Sequence, residues 1–181
     1  MNNAFVYCGI NDGHHNLISR LCFFFIACSS ESKKETTETS TSNRPAYDLT
    51  KTDPNAKVVE LTIVAQGEDM SKMSFDMKSM KVSSGTTIKL TIKSTSPDAS
   101  MPHNWVLVHK GTMELVAMAG LQAGRELGFV PNSPDVLVHS KLLGPGEEQT
   151  LTFSAPPPGV YEYVCTYPGH WSIMNGVLTV E

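Results

Sequence analysis

Thr87-Ile88-Lys89-Leu90-Thr91-Ile92-Lys93 alternates without a break, placing Ile88, Leu90 and Ile92 on one face and threonine or lysine on the other. Successive side chains of a strand point to opposite faces, so this period of two is the mark of a half-buried β-strand. Working outward, similar runs occupy Val58–Ala65, Phe75–Val82, Trp105–His109, Val136–His139, Thr150–Ser154, Val160–Cys165 and Gly176–Val180. Turn-forming groups separate them: Ser84-Gly85, Ser96-Pro97-Asp98, Gly144-Pro145-Gly146 and Pro156-Pro157-Pro158-Gly159. Eight short strands punctuated in this way predict an all-β fold, an antiparallel eight-stranded Greek-key β-sandwich over residues 57–181. Residues 112–128 depart from the pattern. Their Met, Leu, Ala and Glu content, broken by three glycines, predicts a short interrupted helix in a long connection.

The segment before this domain has a different composition. Leu21-Cys22-Phe23-Phe24-Phe25-Ile26-Ala27 is a short apolar run preceded by Arg20 and followed by Cys28-Ser29-Ser30. It reads as an export signal ending in a lipobox, with Cys28 the residue to be lipidated. Residues 29–44 hold nine Ser/Thr and no apolar side chain. They cannot bury enough surface to offset their ordering entropy, so they read as a flexible tether. The expected organisation is a leader over 1–28, a Ser/Thr-rich linker over 29–56 and one domain over 57–181, in an exported protein at the periplasm or cell surface, attached to the membrane by lipid alone. No apolar run approaches the ~20 residues of a spanning helix. Fourteen Lys+Arg against eighteen Asp+Glu give a net charge of −4 with no basic block, which argues against nucleic-acid binding.

Of the four cysteines, Cys8, Cys22 and Cys28 lie in the leader and only Cys165 lies in the body. A disulfide framework within the domain is thereby excluded, and Cys165 is a buried spectator, a nucleophile or a metal ligand. No base stands at recognisable spacing to make it a nucleophile. Instead, Cys165-Thr166-Tyr167-Pro168-Gly169-His170-Trp171-Ser172-Ile173-Met174 sets a thiol, an imidazole and a thioether at Cys-x4-His-x3-Met spacing, across a Pro-Gly turn. A second imidazole, His103, opens the strand that follows Met101-Pro102. Two histidines and a cysteine with a weak axial methionine are the donor set of blue copper, because thiolate and thioether suit Cu(I) while imidazole suits both oxidation states. A tetrahedral zinc site could use the same cysteine and histidines. The methionine favours copper.

Through His103-Asn104-Trp105-Val106-Leu107, Val138-His139-Ser140-Lys141-Leu142-Leu143-Gly144 and the Cys165–Met174 segment, the domain resembles the azurins and auracyanins of the cupredoxin family. The resemblance covers nearly all of 57–181. It implies a one-electron carrier, not an enzyme, holding one copper ion through His103, Cys165, His170 and, weakly, Met174. It also implies backbone amides of Asn104 and Tyr167 hydrogen-bonded to the sulfur, and an Asn104 side chain tied to the ligand loop near Thr166. Redox partners such as a c-type cytochrome or a membrane respiratory complex, met by a monomer, follow from the same likeness.

Three departures stand out. The azurin disulfide has no counterpart. Pro102 replaces the glycine whose carbonyl approaches the metal, so its carbonyl is a weak candidate donor. Trp171 replaces a small residue beside His170. If the His170 ring surfaces as in the family, Met101, Met118, Pro168 and Trp171 form an apolar docking patch around its edge. Met70, Met73, Met77 and Met80 support an alternative, a copper carrier or scavenger, although their alternation with Phe75 fits core packing better. His109 and His139 read as solvent-facing strand residues.

Overall fold

The computed structural model describes residues 47–181; the leader, Cys28 and the linker up to residue 46 lie outside the described residues. Among the described residues, nine strands form two facing sheets. The first sheet holds β1 (Val58–Gln66), β2 (Ser74–Phe75), β4 (Thr87–Ser94) and β7 (Glu148–Ser154) in the order β2-β1-β4-β7. The second holds β3 (Ser79–Val82), β5 (Val106–His109), β6 (Val136–His139), β8 (Gly159–Val164) and β9 (Asn175–Val180) in the order β3-β9-β8-β5-β6. One helix, α1 (Met113–Ala123), and a 3-10 turn at Arg125–Leu127 fill the connection from β5 to β6, within the interval the composition marked.

The sheets are mixed, not antiparallel as expected. β1 runs parallel to β4 from Val58↔Thr87 to Ala65↔Ser94, and β3 runs parallel to β9. Alternation is the same in both pairings, so only the path of the chain distinguishes them: between β1 and β4 it crosses to the other sheet and back. That crossing splits the expected Phe75–Val82 strand. Phe75 and then Met80 and Val82 are buried, a slip of phase that the chain absorbs at Asp76. The Asp76 carboxylate accepts the Val64 N–H at 2.8 Å, and its own N–H donates to the Val64 carbonyl at 3.0 Å. The bend sends β3 to the second sheet, giving nine strands rather than eight.

Between the sheets lie Ile63, Phe75, Ile88, Leu90, Ile92, Trp105, Leu107, Phe153, Tyr163 and Leu178, all essentially without solvent contact. Each such aliphatic or aromatic side chain contributes about 1.5–3 kcal/mol relative to exposure. Ile88, Leu90 and Ile92 face inward as the alternation predicts. Residues 47–56, expected in the linker, lie against the domain: Leu49 is buried, its carbonyl accepts the Ser154 N–H at 2.8 Å, and Ser154 Oγ donates to the Lys51 carbonyl at 2.7 Å.

A second, smaller core sits outside the second sheet. α1 lays Val116, Ala117 and Gly120 on the β-surface of Val106, Val108 and Val164, with Val130 closing the cluster and Trp171 packed against it. Gly120 abuts the Phe129 carbonyl directly, an approach that a Cβ would block. This close contact clamps the helix against the chain that follows it, and the same side of Gly120 lies beside Thr166 in the loop that leaves β8.

Candidate metal centre

Cys165 directly follows β8 and is fully buried; its N–H donates to the Met174 carbonyl at 2.9 Å. From there the chain turns back on itself. The His170 N–H donates to the Tyr167 carbonyl at 3.0 Å, and the Met174 N–H donates to the His170 carbonyl at 2.8 Å. Gly169, at φ 83°, takes the left-handed conformation that lets the turn close. Lys78 fastens the far end, its Nζ donating to the Ile173 carbonyl at 2.8 Å and to that of Asn175 at 3.3 Å. His103 arrives from the other side, just before β5, where it exchanges two backbone hydrogen bonds with Leu143, at 3.0 and 2.7 Å.

These two stretches bring three donor atoms together. His103 Nδ1 lies 3.2 Å from His170 Nδ1, and Cys165 Sγ lies 4.0 and 3.6 Å from them respectively. Among the described residues this is the group of His, Cys and carboxylate side chains whose donor atoms converge within 4.8 Å. Two imidazole nitrogens each about 2.0–2.1 Å from a single ion stand roughly 3.3–3.5 Å apart, close to the separation found here. Burial pushes the Cys165 thiol up to about 12, against the pull of backbone hydrogen bonds from Asn104 and Tyr167 to its sulfur. Burial holds His103 down at about 4, and burial with the neighbouring His103 does the same to His170. At neutral pH the three donors are thus uncharged, with both imidazoles free to coordinate and one thiol proton to displace.

The surroundings fix the donors. Asn104 Oδ1 accepts the Thr166 N–H and its Nδ2 donates to Thr166 Oγ1, both at 2.8 Å; the same Nδ2 donates to the Gly128 carbonyl at 2.9 Å. Tyr167 lays its ring 4.7 Å from that of His170 and donates its hydroxyl to the Ser100 carbonyl at 2.8 Å. Ser140 was not singled out in the sequence, yet its Oγ accepts the Trp105 N–H at 2.9 Å and sets the start of β5. The Val138–Gly144 stretch carried that signal without saying which residue mattered. Lys78 had no sequence signal at all.

A sequence profile described as copper binding proteins, plastocyanin/azurin family, matches residues 61–181. The chain belongs to that family. It is a cupredoxin-like blue copper protein, and its His-Cys-His site takes a single copper ion. Auracyanin-A of Chloroflexus aurantiacus is 37% identical over 126 residues, 68% of this chain and 75% of its own length. Outer membrane protein H.8 of Neisseria gonorrhoeae is 36% identical over 118 residues, 62% of this chain and 64% of its own. The crystal structure of dithionite-reduced auracyanin from the photosynthetic bacterium Roseiflexus castenholzii aligns with a TM-score of 0.61 at 37% identity, covering 67% of this chain and 96% of that one.

Other residues of the cupredoxin sit where the sequence did not foresee. His170 is 0% exposed, so its ring edge does not reach the surface in the way the docking expectation required. Trp171 is half-buried: it packs against the valine cluster under α1 and also lines a surface cleft with Met118 and Pro168. Met101 and Pro168 are half-buried and Met118 is exposed; Pro102 and Met174 are buried. Met73 and Met80 are buried and Met77 packs on the core, leaving Met70 alone of that series on the surface. His139 is exposed as expected, whereas His109 is half-buried with its ring 5.9 Å from Tyr47 and 6.1 Å from Tyr161.

Proposed function

We propose that this cupredoxin is an exported electron carrier whose single copper ion is held by His103, Cys165 and His170, with Met174 as a weak axial donor. The observation that carries this reading is the convergence of two neutral imidazole Nδ1 atoms and one thiol sulfur in a buried pocket. Copper supplies the redox couple, Cu(I)/Cu(II). The chain supplies the constancy around it. Reciprocal Asn104–Thr166 bonding, the His103–Leu143 pair and the Cys165–Met174–His170 backbone links hold the donors in one arrangement for both oxidation states, which keeps the cost of rearrangement per electron low. The Asn104 and Tyr167 amides withdraw electron density from the sulfur. Met174 is tied through its backbone to both Cys165 and His170, which supports it as a residue that would add a weak thioether donor to the ion; the Pro102 carbonyl, next to His103 in sequence, would be a further weak donor.

Partners of the reading are redox proteins, a c-type cytochrome or a membrane respiratory complex, met by a monomer at a face formed by Met101, Met118 and Pro168, with Trp171 behind it. Export, with lipidation at Cys28 and a tether up to the domain, is supported by the leader pattern and by a relative named as an outer membrane protein. The carrier-or-scavenger alternative loses support, since three of its four methionines are packed in the core or against it.

Titration of the purified protein with Cu(II) tests the central claim. One equivalent should produce an intense blue absorption that ascorbate bleaches and ferricyanide restores. A colourless adduct, or saturation at two or more ions, would overturn it.

A further inference from the structure

The metal pocket is sealed: Cys165, His170 and Met174 have no solvent exposure. An ion must therefore pass the Pro168–Gly169–His170 turn or the elements around it. Two exposed thioethers lie against that turn. Met70 is 50% exposed, and its methyl carbon is the nearest atom to the point where a side chain on Gly169 would begin, 3.1 Å away. Met118 is 51% exposed and lines, with Pro168, Gly169 and Trp171, a cleft of 150 Å³ between α1 and the ligand loop.

Both are presented by well-held backbone. Met70 rides on a turn in which Asp69 accepts the Ser71 N–H at 2.8 Å through its carboxylate and the Met73 N–H at 3.0 Å through its carbonyl, while buried Met73 anchors the exit. Met118 stands on a helix whose other face is locked by Val116, Ala117 and Gly120. A purely apolar rim would need no sulfur. Leu115 and Leu121, exposed on the same helix, supply the apolar character without a donor atom.

We propose that Met70 and Met118, the exposed thioethers that flank this turn, provide an entry route for Cu(I), each a soft donor that can accept the ion at the surface before it reaches Cys165. Thioethers bind Cu(I) and have little affinity for hard or borderline cations, so the route selects the reduced ion at loading. The transfer is a ligand exchange. The donor's ligands leave, a thioether takes their place, and the thiolate then displaces it, with the Cys165 proton released to solvent and no electron exchanged. This inference rests on the copper-site reading but fails separately from it.

The test compares the wild type with Met70→Leu, Met118→Leu and the double variant, all metal-free. Cu(I) is offered as its bicinchoninate complex under anaerobic conditions, and uptake is followed by loss of that complex's colour; Cu(II) uptake is followed in parallel. The double variant should take up Cu(I) at least tenfold more slowly, with Cu(II) uptake and the final copper content unchanged. Equal Cu(I) rates in wild type and double variant would overturn the proposal. So would an equal slowing for both ions, which would mean that the side chains only shape the entrance. A protein that fails to turn blue with Cu(II) overturns the electron-carrier reading alone, since the Cu(I) comparison needs no blue band.

Discussion

Asn104 holds Thr166 from two sides at once, accepting its N–H and donating to its hydroxyl, each at 2.8 Å. The two residues belong to the two stretches that carry the copper donors, one adjoining His103 and the other adjoining Cys165. The pair is a polar connection across the site that does not involve the donors themselves, and both members are buried.

Asn104→Ala should therefore cost more than an ordinary polar truncation. It leaves the Thr166 N–H buried without a partner, worth about 1–3 kcal/mol, and removes the bonds to the Thr166 hydroxyl and to the half-buried Gly128 carbonyl. The urea midpoint of the metal-free protein should fall by an amount equivalent to about 2–4 kcal/mol. A change within experimental error would show that the two stretches are held by the rest of the sandwich.

The pH dependence of the metal-free protein follows from the two imidazoles. Each titrates near 6.5 in an unfolded chain and near 4 when folded, because burial disfavours the charged ring. Between these values the unfolded state binds more protons, so stability rises with pH across that window. Acidification from pH 6.5 to 4 should lower the unfolding free energy, with a slope of at most about 1.4 kcal/mol per histidine per pH unit, and the curve should level above pH 7. Denaturant melts at half-unit intervals would read it. With the thiol raised to about 12, Cu(II) binding at pH 7 should also release one proton, measurable by calorimetry in buffers of different ionisation enthalpy.

Met174→Leu should retain a blue site and raise its reduction potential. Its thioether is a donor that helps Cu(II) more than a hydrocarbon would; without it the reduced state gains in relative terms. Leucine is close in volume and the position is fully buried, so folding should change by less than about 1.5 kcal/mol. Voltammetry that finds the potential unmoved would argue against an axial role for Met174.

What could be read from the sequence divides along physical lines. Alternation at Ile88, Leu90 and Ile92 reports which face is buried, and that face is indeed between the sheets. It carries no information on strand direction, so the parallel pairing of β1 with β4 was invisible. The Phe75–Val82 split lay in a phase slip of one residue at Asp76, legible only once a change of sheet is suspected. The Cys-x4-His spacing marked two donors because a tight loop brings them together locally. His103 lies 62 positions from Cys165, and no periodicity joins them; there the family resemblance supplied what spacing could not. Exposure of the His170 ring depends on Tyr167 and on the turn around it, contacts between side chains that leave no pattern in the chain.

Trp171 shows the consequence of that difference. A tryptophan at a docking rim could be replaced by serine with loss of partner kinetics alone. Here its side chain is half-buried against the cluster of Val106, Val116, Val130 and Val164 that seats α1 on the second sheet, and its carbonyl accepts the Asn175 side-chain N–H at 2.9 Å. Trp171→Ser should lower stability by roughly 1–3 kcal/mol, below the 3–5 typical of a fully buried aromatic because part of the ring is already in water. It should also loosen α1, seen as faster amide hydrogen exchange at Val116 and Ala117 than at Ile88 or Leu90 in β4. The blue absorption should survive, since Trp171 supplies no donor atom. If electron transfer to a partner slows while stability and exchange stay unchanged, the tryptophan acts at the surface after all, and its packing under the helix is incidental.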